Sequence, residues 1–130
     1  MAILGGAFIA FGGLLSVMVS GGMPRIGTDN PGLTKFIAGA LFPVGLIMVS
    51  ITGVDLFTSD CAGFTYAGMQ RKINTTTFLK YLCLSYLFNF IGAQFVAYFM
   101  TQQVGLLQSE PWMEYFHTYA EGKVYQDFYT

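Results

Sequence analysis

Apolar positions in this chain run in long blocks; they neither alternate nor recur as a single stripe. Ala2 to Ser20 and Phe36 to Val54 contain no charged residue, and Phe78 to Met100 contains only Lys80. Uninterrupted apolar blocks of about 20 residues have the length at which a helix crosses a ~30 Å hydrocarbon layer. The pattern predicts an all-α membrane protein with three transmembrane helices, at about 2–20, 36–69 and 78–100. Gly21-Gly22, Pro24, Asn30-Pro31 and Gly32 punctuate the segment from Gly21 to Lys35, which reads as a loop. From Thr101 to Thr130 the character changes. Acids (Glu110, Glu114, Glu121, Asp127) outnumber the one base, Lys123, and aromatics crowd in from Trp112 to Tyr129. That tail reads as an interfacial aromatic belt lying along the membrane surface.

The second block does not read as a plain anchor. Pro43 removes a backbone donor in its first half, Gly45 and Gly53 follow, and Asp55 stands directly before Leu56-Phe57-Thr58-Ser59. A carboxylate near mid-span costs about 2.5–3.5 kcal/mol on insertion scales and is by default a functional candidate. The span is predicted to break near 56–60. Unpaired backbone survives at membrane depth only beside protein or water, so such a break suits a helix that lines a pathway. Asp55 also has a purely structural reading, as N-cap of the helix that resumes after the break.

Small residues mark where neighbours can come close. Ala2, Gly6 and Ala10 recur every four residues, Gly12-Gly13 follow, and Gly92-Ala93 sits in the third span. Such faces admit a second backbone in the bilayer. Asn89 and Gln94 are polar at depth and should face protein, with Asn89 read as a helix-to-helix tie.

Composition narrows the function classes. The chain is 54% hydrophobic and 10% charged, against roughly 25% charged in soluble domains. A net charge of −1 offers no field for nucleic acid, and no nucleic-acid partner is expected. Cys61 and Cys83 have no spacing that supports a disulfide. No Cys/His cluster, metal site or cofactor motif is present, and neither cysteine nor His117 forms a nucleophile–base pattern; an enzyme is not expected. Arg71, Lys72 and Lys80 are three of the six basic residues. They predict that the N-terminus and the 70–80 loop face the cytoplasm, across a plasma or inner membrane. Asn74-Thr75-Thr76, formally a glycosylation sequon, then lies inside and unused.

With these residues laid out, the chain resembles the formate/nitrite transporter family. The similarity begins at Gly6-Ala7-Phe8-Ile9. It is strongest at Leu41-Phe42-Pro43-Val44-Gly45-Leu46-Ile47 and Gly53-Val54-Asp55-Leu56-Phe57-Thr58, and continues through Asn89, Gly92-Ala93 and Gly122-Lys123-Val124. The resemblance implies an aquaporin-like inverted repeat of six helices, of which this chain would be the first half, with an Ω-loop interrupting the second helix. It implies five complete protomers in a ring, a lipid bilayer and a small monovalent anion as partners, and no cofactor. Phe42 resembles the outer constriction, and Leu46, Leu56 and Phe57 the apolar inner constriction. Thr58, beside Asp55 and Ser59 in the loop, resembles the hydroxyl offered to the permeant, and Lys123 the vestibule lysine that attracts anions. The function implied is transport of anions of the formate, nitrite or hydrosulfide class through an apolar pore, as part of a larger protomer. His117 does not match the family's central histidine, and the 130 residues read as an incomplete copy of a longer transporter. The alternative reading is a three-span structural or assembly subunit that docks through its Gly/Ala faces.

Overall fold

A computed structural model describes residues 1–70 and 73–124. Among the described residues every regular element is a helix. They form α1 (Ala2–Gly21), α2 (Pro24–Asp29), α3 (Pro31–Leu41), α4 (Pro43–Thr52), α5 (Phe57–Met69), α6 (Thr75–Tyr98) and α7 (Trp112–Val124), with one π-helical turn over Phe99–Gln103. Three stretches are long and apolar enough to cross a membrane: Ala2–Gly21, Pro31–Thr52 and Thr75–Gln103.

The segment from Gly21 to Lys35 is not the loop that its prolines and glycines suggest. Pro24 and Pro31 each open a helix. At the first helical position a missing N–H forfeits nothing and the fixed φ is already helical, so these prolines start helices. Pro43 does the same for α4, and Phe42 before it keeps helical angles. The second span therefore runs through Phe42 without breaking there.

The break comes at Gly53. Its φ of 65° is left-handed, a conformation open to glycine and costly to a residue with a Cβ. Residues 53–56 leave the helix, and α5 begins at Phe57. The interruption thus lies over 53–56, a few residues before the predicted 56–60, and Phe57, Thr58 and Ser59 form the first turn of the next helix.

α1 packs between the other spans by close backbone approach. A Cβ at Gly6 would collide with the Asn89 carbonyl, and one at Gly92 with the Ile3 carbonyl. At the α1–α4 crossing, a Cβ on Gly12 would lie 2.6 Å from the Phe42 carbonyl oxygen, and one on Gly45 would lie 2.6 Å from that of Phe8. Lipid is as apolar as a leucine side chain, so helices in a bilayer gain little from hydrophobic burial and associate through such packing. The buried apolar core is accordingly small, with Val49, Val54 and Leu56 packed by Phe8 and Ile9. Large side chains such as Phe36 and Ile51 face outward. Ser16 adds a polar tie, its hydroxyl donating to the Ala38 carbonyl at 2.9 Å.

Candidate functional site

The break frees backbone groups that a continuous helix would pair, and one side chain takes up two of them, at Asp55 and Phe57. Asn89 Nδ2 donates to the Ala2 carbonyl at 2.9 Å and to the Asp55 carbonyl at 3.3 Å. Its Oδ1 accepts the Phe57 N–H at 3.2 Å. A carboxamide carries donor and acceptor on one planar group, so a single residue can pair both the Asp55 carbonyl and the Phe57 N–H where α5 begins. Asn89 is buried and sits at the midpoint of the Thr75–Gln103 span. The break therefore lies beside the middle of α6, where an unpaired carbonyl or amide would be most costly.

The residues singled out from sequence fall into several different environments. Phe42 is 48% exposed and lines a groove of about 570 Å³ between α1, α6 and α7. Phe90, Gln94, Thr101, Phe116 and Tyr119 line it as well. Leu46 is equally exposed; it lies one helical turn beyond Phe42, on the flank of α4 next to the Gly45–Val49 stripe that faces α1. Leu56 is in a different setting, buried in the small core with Val49 and Val54. Phe57 is half-buried, with its ring edge-on to Tyr86 at 5.4 Å. Tyr86 in turn stacks near Phe90 at 6.5 Å, so an aromatic file runs from the break to the groove that holds Phe42. Thr58 and Ser59 are exposed on the first turn of α5.

Asp55 does not cap α5. The N-cap position belongs to Leu56 and makes no side-chain bond; Asp55 contributes its backbone carbonyl to Asn89 instead. The acid in the first turn of α5 is Asp60, where a carboxylate complements the helix dipole. Asp60 also accepts a hydrogen bond from the Ser85 hydroxyl of α6, a second polar tie between α5 and α6. Asp55 and Asp60 border a smaller cavity of about 360 Å³ with Phe64, Tyr81 and Ser85.

The tail does more than lie on a surface. α7 folds back onto the end of α1, and the Trp112 indole N–H donates to the Met18 carbonyl at 2.9 Å. Lys123 lies 5.7 Å from the centroid of Tyr119, a residue of the groove wall. Tyr125, Asp127 and Tyr129, and Arg71 and Lys72 of the basic loop, lie outside the described residues. Cys61 and Cys83 are free thiols.

Sequence reasoning did not find Tyr86, Phe90, Asp60 or Ser85. Tyr86 and Phe90 are one turn apart in an aromatic-rich helix, and no pattern separates them from lipid-facing neighbours. Asp60 carried a signal that went unused, a second acid within five residues of Asp55 in an apolar stretch.

An all-helical fold with three stretches long and apolar enough to cross a membrane is that of a multi-span integral membrane protein. The chain belongs to the formate/nitrite transporter family, whose profile matches residues 1–130. It is 40% identical to a probable formate transporter of Methanothermobacter thermautotrophicus over 95% of this chain and 44% of that protein. It is 38% identical to an uncharacterised transporter of Bacillus subtilis over 98% of this chain and 47% of that protein. It is 35% identical to a formate channel of Bacillus thuringiensis over 98% of this chain and 48% of that protein. The chain thus spans a little under half the length of these relatives. No solved structure gives a significant match. The family is one of transporters, not of enzymes.

Proposed function

We propose that these three spans form half the wall of a pathway for small monovalent anions of the formate, nitrite or hydrosulfide class, within a larger protomer. One observation carries this reading. The chain leaves the helix over 53–56, directly after the Pro31–Thr52 stretch and beside the midpoint of the third span, where Asn89 holds the Asp55 carbonyl and the Phe57 N–H. A break at that depth is tolerated where it lines a cavity. The names of two relatives, a probable formate transporter and a formate channel, support formate, the family's description adds nitrite, and hydrosulfide joins them as another small conjugate base.

In this reading Phe42 forms the outer constriction, Leu46 and Phe57 form the inner one, and Leu56 backs it from the small core. The file Phe57–Tyr86–Phe90 supports that wall. An apolar constriction rejects a hydrated anion through the desolvation cost of its charge. Thr58 offers its hydroxyl, with Asp55 and Ser59 beside it, and Lys123 raises the local anion concentration. Residues 53–56 act as the Ω-loop of an aquaporin-like repeat, completed by a second three-span unit, and complete protomers assemble as a pentamer. The basic 70–80 segment lies on the cytoplasmic side of a plasma or inner membrane, the N-terminal end of α1 points toward it, and α7 lies on the opposite side. Membership in a transporter family makes a purely structural subunit the weaker reading.

The test is reconstitution of the complete protein in liposomes. Saturable uptake of at least one of formate, nitrite and hydrosulfide is expected. Flux of all three no faster than in empty liposomes overturns the proposal.

A further inference from the structure

α7 presents Trp112, Phe116, Tyr119 and Lys123 at i, i+4, i+7 and i+11, one stripe along the helix. Its first residue is anchored and its middle lines the groove. The indole N–H of Trp112 donates to the Met18 carbonyl, which also accepts the Gly22 N–H at 3.0 Å. This carbonyl belongs to the last turn of α1, where the helix dipole favours a donor. Gly21 makes room: a Cβ there would lie 3.1 Å from Trp112 Cδ1 and 3.3 Å from Tyr115 Cδ1. Among the described residues this is the one side-chain hydrogen bond from α7 to another helix. Phe116 and Tyr119 then lie in the groove wall, and Lys123 sits against Tyr119. We propose that Trp112 is a positioning residue for anion capture: by pinning the start of α7 to the end of α1, it stations Lys123, about 16 Å further along the helix, at the rim of the groove.

This rests on the role given to Lys123 above, and the experiment separates the two. The complete protein in liposomes is compared with Trp112→Phe, which keeps the ring bulk and removes the N–H, with Lys123→Ala, and with the double variant. Gly21→Val crowds the indole without removing it. Hydrogen exchange over 112–124 and formate uptake at low and high salt are read together. Trp112→Phe and Gly21→Val are expected to speed exchange in α7 by about three- to tenfold and leave α1 to α6 unchanged. They are also expected to raise the half-saturation concentration for formate at low salt with the maximal rate preserved. The double variant should shift no further than Lys123→Ala alone. Unchanged exchange in α7 overturns the anchor. A loosened α7 with unaltered half-saturation overturns positioning. If Lys123→Ala itself leaves uptake unaltered, the role of the lysine fails, and this proposal fails with it.

Discussion

At the residue scale Asn89 carries more than any other side chain. It pairs two carbonyls and one amide at the centre of the molecule. Asn89→Leu keeps the size and leaves all three groups without this partner. Each buried orphan costs about 1–3 kcal/mol, so a loss of several kcal/mol is expected, measured as a lower unfolding midpoint in detergent, with faster exchange over 53–58. Phe57 gives a different kind of prediction. Its ring stands edge-on to Tyr86, and Phe57→Ala removes it without touching the backbone bond to Asn89. A wider inner constriction should then raise formate flux and admit larger anions; flux and selectivity both unaltered would remove Phe57 from the pathway. That Asn89 should face protein was legible in its amide at mid-span. Its three partners were not, because two lie more than thirty residues earlier and one at the start of α1.

At the element scale the break and the glycine crossings decide the shape of the second span and its distance from α1. Gly53 holds φ at 65°, so Gly53→Ala should cost about 1–2 kcal/mol, even though nothing lies within 4 Å of the added carbon. Gly92→Val acts by the opposite route, since its Cβ meets the Ile3 carbonyl. It should push α1 from α6, dislodge Asn89 from Ala2, and abolish folding, detected as loss of a monodisperse peak on size exclusion. The existence of a break was legible in Gly53, Asp55 and the preceding apolar run. Its boundary was not. A left-handed glycine ends a helix as soon as it occurs, whereas composition stays ambiguous until the polar residues begin. Pro24 and Pro31 misled in the other direction, because a proline that opens a helix and one that ends a helix look alike in sequence.

At the scale of the whole molecule, charge is sparse and concentrated outside the spans. If Lys123 enriches anions at the rim of the groove, Lys123→Ala should lower formate uptake several-fold at low ionic strength and little near 1 M salt, where the screening length falls to about 3 Å. Uptake curves over a salt series check this; parallel curves for both proteins would place the lysine away from the anion's route.

By itself, the sequence determined that three stretches are long and apolar enough to cross a membrane, that the helix is interrupted near Asp55, and that Gly6, Gly12 and Gly92 face a neighbour. These are properties of local composition, and hydrocarbon thickness and backbone sterics read them directly. Only the tertiary structure decided that Asn89 takes up the Asp55 and Phe57 backbone groups, that Asp60 pairs with Ser85, that Leu56 is core while Phe42 lines a groove, and that α7 returns to α1. Those outcomes depend on which helix lies against which. In an apolar chain almost every face is compatible with lipid, so the pairing is set by where backbones fit together, and that is a property of three dimensions.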